Sequence, residues 1–399
     1  AAVVITANGS IIDSVYWTGS TRGDVGNAAF VHHGNQGLTY SAVFYGEEPM
    51  ESTGFDEVLE LHQTTGSTGS SIPGNFHLSG TLMSAAEWHN PEFNDLLSNG
   101  VNEGWIAMLT SVYGQHIMPF VYNEMNNWAV NIETDMVEFL YGYAPKVAWI
   151  PERVWLTPGL YPDAGVADWL GDNFEQHGVE AVLLDDWPHL NGYSATKIHY
   201  MNNASGINLR VIPINGSFTG NVHHNPGEAI NQIQSGQNEI LVYGTDWEVV
   251  AEMNEHNGTD YLENYTTVIN WCSQNYPGVD VWKLDDALNN PNFNGEGVEI
   301  TNGNYELIGG SDGYGGGNNG WYTDWANTAS LSDFHSPDKW TYGYIWQNAY
   351  NNLMSAPNNN LSELGWYTMM TNLHETAWHD YVGGPISGWE HHYSAHIKN

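Results

Sequence analysis

Two acidic residues each follow a run of β-forming residues: Glu152 after Val147-Ala148-Trp149-Ile150-Pro151, and Asp246 after Ile240-Leu241-Val242-Tyr243-Gly244-Thr245. An acid at the C-terminal end of a buried parallel strand sits at the mouth of an α/β barrel, the end where such folds place their chemistry. Two such acids on one pocket are the minimum set for cleaving a glycosidic bond. One ionised carboxylate attacks, a second carboxyl group stays protonated for the leaving oxygen, and a separation of about 5 to 5.5 Å gives retention. Arg153, next to Glu152, would hold a carboxylate ionised, whereas Tyr243, Trp247 and Glu248 give Asp246 an apolar, like-charged setting that raises its pKa. Either acid alone would serve equally as a helix cap or a surface ion pair. The two together, with their flanking aromatics, favour chemistry.

The elements that must position them follow from alternating patterns. Short β-rich runs predict seven strands at 28–33, 75–79, 116–122, 146–151, 181–185, 209–214 and 239–245. Amphipathic helices are predicted between and after them at 55–62, 85–97, 132–141, 164–177, 228–235 and 261–275. Strand alternating with helix argues for an α/β fold with a parallel sheet or barrel. Polar residues recur at the C-terminal strand ends, at His32-His33, His77, Asp185-Asp186 and Asp246, as an active-site rim requires. The Gly/Asn-rich run 289–320 is read as a long loop, either a surface excursion or a cover over a cleft, and helical pattern resumes at 340–354 and 362–373. The expected organisation is a catalytic barrel over 1–288, a loop over 289–337 and a helical region over 338–399.

Composition narrows the partners. The formal charge of -38 comes from 46 Asp and Glu against only 8 Lys and Arg, and charged residues make up 14% of the chain, below the roughly 25% of ordinary soluble proteins. The anomaly is the removal of cations, which favours acid tolerance over salt tolerance, a reading that 18 His residues weaken. So negative a surface disfavours nucleic acid and anionic membranes, and no apolar stretch is long enough to insert in a membrane. The single cysteine, Cys272, rules out an internal disulfide and reads as a small buried side chain. Asn-x-Ser/Thr sequons at Asn8, Asn203, Asn215, Asn257, Asn264 and Asn360 suit an extracellular or cell-surface glycoprotein, and a start at Ala1 suits a processed chain.

Trp149-Ile150-Pro151-Glu152-Arg153-Val154-Trp155 resembles the nucleophile motif of glycoside hydrolase family 57, a family of α-glucan amylases, amylopullulanases, branching enzymes and glucanotransferases. Tyr243-Gly244-Thr245-Asp246-Trp247-Glu248 is similar to its general-acid motif. His33-Gly34-Asn35-Gln36 resembles the first conserved segment, with Gly37 where the family carries Pro. Tyr113-Gly114-Gln115-His116 resembles the second segment, and His374-Glu375-Thr376-Ala377-Trp378-His379-Asp380 the fifth. The resemblance implies a (β/α)7 barrel with a C-terminal helical region, a retaining double displacement with Glu152 as nucleophile and Asp246 as acid/base, and His33, His116, Trp378 and His379 lining the sugar site.

Exposed aromatic rings stack on the apolar faces of sugars, and a chain with 18 Trp and 23 Tyr has rings to spare after filling its core. Trp155, Trp187, Trp247 and Trp321 follow strand ends or lie in loops and are the candidate subsite rings. Asp185 and Asp186 suit hydrogen bonds to sugar hydroxyls or closure of the barrel end. Asp185-Asp186 with His189, and His392 with His396, have ligand-like spacing, but no sequence signal brings the two sets together, so no metal and no cofactor are expected. The expected ligand is an oligo- or polysaccharide. The rival readings are a transferase using the same chemistry and a carbohydrate-binding protein that has lost catalysis. Oligomeric state is not legible.

Overall fold

The computed structural model describes residues 2–7, 10–16, 26–35, 54–64, 71–116, 118, 122–155, 170–201, 209–236, 238–251, 255–256, 259–275, 278–301 and 342–371. β1 (Ala2–Ala7) and β2 (Ser10–Tyr16) form an antiparallel hairpin. β3 (Gly26–Gly34) follows, then α1 (Phe55–Thr64), β4 (Gly74–Leu78), α2 (Gly80–His89), α3 (Pro91–Glu103) and β5 (Ile106–Met108). α4 (Asn123–Tyr141) leads to β6 (Val147–Trp149), and α5 (Gly171–Glu175) to β7 (Ala181–Asp185), β8 (Ile198–Met201) and β9 (Arg210–Ile214). α6 (Gly216–His224) and α7 (Pro226–Ser235) precede β10 (Leu241–Asp246), which runs into the short α8 (Trp247–Val250). A two-residue hairpin, β11 (Glu255–His256) and β12 (Thr259–Asp260), opens α9 (Tyr261–Asn275). β13 (Val279–Val281), α10 (Leu284–Ala287), β14 (Asn294–Val298), α11 (Tyr342–Ser355) and α12 (Asn360–Thr371) complete the described chain.

The strands close into a ring. β10, β3, β4 and β5 pair side by side in parallel, as do β6, β7 and β9. One seam between these arcs is Thr110, which bridges Ala148 and exchanges backbone hydrogen bonds with Val147 O (3.2 Å) and Trp149 N (2.9 Å). At the other seam the Asn215 N–H donates to Val242 O at 2.9 Å. Seven parallel strands in the order β3-β4-β5-β6-β7-β9-β10 therefore form the expected (β/α)7 barrel. Gly244 serves the second seam directly, because a Cβ there would stand 2.9 Å from Ile214 Cγ1.

Side-chain alternation sorts each strand into an inner and an outer row. Ala29, Val31, Val147, Trp149, Ala181, Leu183, Ile212, Ile214 and Val242 share one buried cluster inside the ring. Their neighbours Ala28, Phe30, Leu241 and Tyr243, and Ala148, Val182, Leu184 and Val211, pack outward beneath the helices. Two residues further along each inner row lie His33, Asp185 and, past Gly244, Asp246. The alternation that builds the core thus delivers polar side chains to the barrel mouth.

The N-terminal end of the ring is plugged. Leu284, Ala287, Leu288 and Phe293 join the interior cluster, and two of the chain's 8 cations hold that plug in place. Lys197 Nζ donates to Asn238 O (2.5 Å) and Asn292 O (2.7 Å), and Arg210 donates to Leu288 O (2.6 Å) and Glu180 (2.9 Å).

Several expected elements shift. The third strand of the ring is β5 at Ile106–Met108; Ser111–His116 is a turn at the rim with Gln115 at φ 55°, and of the strand expected at 116–122 residues 117 and 119–121 lie outside the described residues. The helix expected at 85–97 is two helices, because Pro91 occupies the first turn of α3 and lacks the N–H needed to continue α2. Part of the expected loop, Asn294–Val298, is β14, paired with β8. Residues 302–341, which include the rest of that loop and the start of the helical region, lie outside the described residues, as does the chain after Thr371. α12 packs on α4 through stacked Trp128 and Trp366 rings (5.8 Å, 8°), and α11 through stacked Tyr122 and Tyr350 (4.0 Å, 14°). Of the sequons, Asn215 caps α6 through Phe218 N, and the Asn264 amide donates to His223 O at 2.6 Å, so both already serve the fold. Asn360 is exposed; Asn8, Asn203 and Asn257 lie outside the described residues.

Candidate active site

Glu152 and Asp246 both lie at the C-terminal mouth of the barrel. Asp246 ends β10, and Glu152 sits in a 3-10 turn, Pro151–Arg153, immediately beyond β6. That turn is unusual: Glu152 (φ 49°) and Arg153 (φ 50°) are consecutive non-glycine residues in the left-handed region, which costs an L residue about 1 kcal/mol or more.

The Arg153 guanidinium spans the mouth. Its Nε lies 3.6 Å from Asp185 Oδ2 and its Nη1 3.8 Å from Asp246 Oδ1, while the cation sits 5.2 Å from the Trp149 ring centroid. Both distances exceed hydrogen-bond length, and Asp185 Oδ2 and Asp246 Oδ1 are buried without a hydrogen-bond partner among the described residues. The Asp246 side chain as a whole is 41% exposed, yet desolvation of its carboxyl at the mouth raises its pKa; Arg153 opposes this and Asp185 reinforces it. The like charge acting on Asp246 is therefore Asp185. Glu248, expected in that role, is buried and accepts the Asn35 N–H at 2.8 Å, tying the β10 and β3 rims together.

Trp149 forms the floor. The His33 ring lies flat against it (4.6 Å, 10°), and His33 Nδ1 meets His77 Nδ1 at 2.7 Å, one of the two carrying the shared proton. His77 Nε2 in turn contacts Glu133 Oε1 at 2.5 Å, with both side chains fully buried. Burial holds His33 well below its usual pKa, helped by His77 and Arg153, so a neutral imidazole supports the floor. His77 was legible only as a strand-end residue. Glu133, on α4, carries no sequence signal beyond being an acid on the apolar face of a helix.

The remaining candidates divide sharply. Asp186 stands on the turn after β7, its pKa raised by burial against hydrogen bonds from the Gly216 and Trp187 backbones. Trp187 is 53% exposed, so much of its ring surface faces solvent. Trp155 and Trp247, expected at subsites, are buried core residues. Trp155 turns back into the cluster that holds Leu170 and Phe174, and Trp247, starting α8, points outward to stack on Phe55 (4.4 Å, 8°). His116 is also buried, its Nε2 bonded to Asn126 Oδ1 at 2.9 Å, so it supports the rim from behind. Trp321, Trp378 and His379 lie outside the described residues. Among the described residues no group of acidic, His and Cys side chains has metal-binding geometry, and no helix is long and apolar enough to cross a membrane.

Comparison with known proteins bears directly on this arrangement. The family model for glycosyl hydrolase family 57 matches residues 52–299. An α-amylase of Pyrococcus horikoshii is 25% identical over 141 residues, 35% of this chain and 20% of that protein. Alpha-amylase 1 of Dictyoglomus thermophilum is 25% identical over 146 residues, 36% and 20% of the respective chains. The chain thus aligns with about a fifth of the length of these relatives. The fold is shared with the family 57-type branching enzyme of Pyrococcus horikoshii (TM-score 0.61, 12% identity, 93% of this chain and 87% of that one). It is shared too with an α-amylase of Thermotoga maritima (TM-score 0.59, 8% identity, 94% and 92%). Since the family model covers well over half of its residues, this chain belongs to glycosyl hydrolase family 57.

Proposed function

We propose that this protein is a retaining glycoside hydrolase that cleaves α-glucosidic bonds in starch-like α-glucans, with Glu152 as nucleophile and Asp246 as acid/base. The observation that carries the reading is the placement of Glu152 and Asp246 on one rim of the barrel mouth, where Arg153 lies between Asp246 and Asp185 and desolvation favours the protonated form of Asp246. In the first step Glu152 attacks the anomeric carbon while the glycosidic oxygen takes the Asp246 proton and departs. In the second, the Asp246 carboxylate removes a proton from water, the resulting hydroxide attacks the anomeric carbon, and the Glu152 carboxylate is released. Arg153 limits the rise in the Asp246 pKa, so the group can both give and take a proton. The amylases among the relatives support an α-glucan as substrate.

The test is product analysis on soluble starch, pullulan and maltooligosaccharides. Release of reducing ends supports hydrolysis, and the polymer consumed gives the linkage preference. Products longer than the starting maltooligosaccharide would assign transfer, with a sugar hydroxyl in place of water. No change in any substrate, with the protein folded, would overturn the reading in favour of a binding protein. A separate expectation concerns Trp187: as an exposed ring beside Asp186, its replacement by Ala should raise KM roughly tenfold, about 1.4 kcal/mol, with kcat nearly unchanged. Unchanged KM in steady-state kinetics would remove Trp187 from the substrate path.

A further inference from the structure

His189 was notable in the sequence for metal-like spacing from Asp185 and Asp186; among the described residues it joins no group with metal-binding geometry. Its imidazole is completely buried and both ring nitrogens face backbone carbonyls: Nε2 lies 2.7 Å from Arg153 O and Nδ1 lies 2.9 Å from Thr301 O. The ring therefore stands as a strut between the turn after β7, the turn after β6 and the backbone at Thr301.

Its contact on the β6 side is the carbonyl of a strained residue. Glu152 and Arg153 occupy the left-handed region in succession, and such a conformation persists only where its surroundings over-determine it. Within the turn, Arg153 N donates to Ile150 O (2.8 Å) and Val154 N to Pro151 O (3.0 Å). Those bonds hold a 3-10 turn closed but do not anchor it to the rest of the barrel. The His189 bond does, reaching the carbonyl that follows both left-handed residues.

We propose that His189 is a positioning residue whose Nε2–H, held on Arg153 O, keeps the Glu152–Arg153 pair in its left-handed conformation at the barrel mouth. The inference rests on Glu152 being the nucleophile. A neutral imidazole donates through one nitrogen only, and the proposal places that proton on Nε2, at the shorter of the two contacts. Burial pushes His189 towards the neutral form, while Thr301 O, Asp185 and Arg153 O pull the other way. The second proton, when present, satisfies Thr301 O without disturbing the first bond.

Two substitutions separate the nitrogens, because a Gln amide nitrogen falls near the Nε2 position and an Asn amide nitrogen near Nδ1. His189→Gln should keep kcat on maltooligosaccharides within about threefold of wild type. His189→Asn should lower it on the order of 30-fold, with KM within twofold, since substrate binding is not what the strut serves. Hydrogen exchange across 150–155 gives a readout independent of turnover: protection of the Arg153 and Val154 amides should survive in the Gln variant and fall in the Asn variant, with thermal midpoints of the two alike. Equal kcat and equal protection in both variants would overturn the proposal. If wild type shows no glycosidase activity, the functional reading fails while the exchange data still decide whether His189 anchors the turn.

Discussion

Glu152→Gln should reduce turnover of α-glucan by a factor on the order of 10⁴ or more while leaving the fold and substrate binding intact. The substitution is nearly isosteric, and the left-handed backbone at Glu152 (φ 49°) is no harder for Gln than for Glu. What it removes is the anionic oxygen that must bond to the anomeric carbon. An amide cannot form the glycosyl ester, so no remaining group at the mouth supplies the first step. A fully active Glu152→Gln protein would sink the assignment, whereas loss of activity with an unchanged thermal midpoint and unchanged retention on immobilised starch supports it. Asp246→Asn should behave differently. The first step then lacks its proton donor but not its nucleophile, so an aryl glucoside with an acidic phenol as leaving group should recover much of the first-step rate, seen as a burst of phenol release. The contrast between the variants assigns the roles more firmly than either loss of activity does.

Much of this site was legible because the barrel converts a local pattern into a position. A strand with one inner and one outer row places every second residue in the ring, so His33, Asp185 and Asp246 could be read as rim residues from their place after apolar alternation. The family motifs at Glu152 and Asp246 agree with that reading. The tryptophans were not legible in the same way. Trp149, Trp155, Trp187 and Trp247 all lie close to strand ends, yet only Trp187 faces outward to solvent. Beyond the last strand residue the backbone turns, alternation ends, and an aromatic ring goes wherever the nearest unfilled apolar volume lies. For Trp155 that is the cluster with Phe174, and for Trp247 the space against Phe55. β5 was missed for a different reason: its three residues are too short to show a period, and the longer, more aromatic run after Gln115 drew the strand assignment instead. Glu133 was invisible because its function depends on a contact with His77, 56 residues away in sequence.

Stability should fall between about pH 6.5 and pH 4, against the acid tolerance that the scarcity of cations suggests. The cause is histidine burial. His62 and His223 are pushed down to about 4, and His32 and His33 are held well below the usual value, in each case chiefly by burial. The folded state keeps these rings neutral, so below pH 6.5 the unfolded chain binds protons that the folded chain refuses. Their contribution is fully present above 6.5 and is lost as pH falls towards the folded value. A shift from 6.5 to about 4 corresponds to roughly 3 kcal/mol for a group such as His62. Carboxyl groups act in the opposite sense: buried Glu133 and part-buried Asp246 and Asp285, all raised chiefly by desolvation, bind protons more readily when folded, and relief of the net charge of -38 also favours the folded state as pH drops. The four buried histidines set the expected direction, and substitution isolates one of them. Denaturant unfolding at pH 7 and pH 4.5 tests this through His62→Gln, which keeps a polar side chain against Tyr265 and Ile72 but cannot titrate. The variant should start less stable at pH 7 and lose about 2 to 3 kcal/mol less than wild type across the interval. Parallel losses in the two proteins would mean that His62 is already charged in the folded state, and would return the argument to acid tolerance through missing cations. Added salt at pH 7 should stabilise both proteins alike, since screening acts on the net charge and leaves the buried rings untouched.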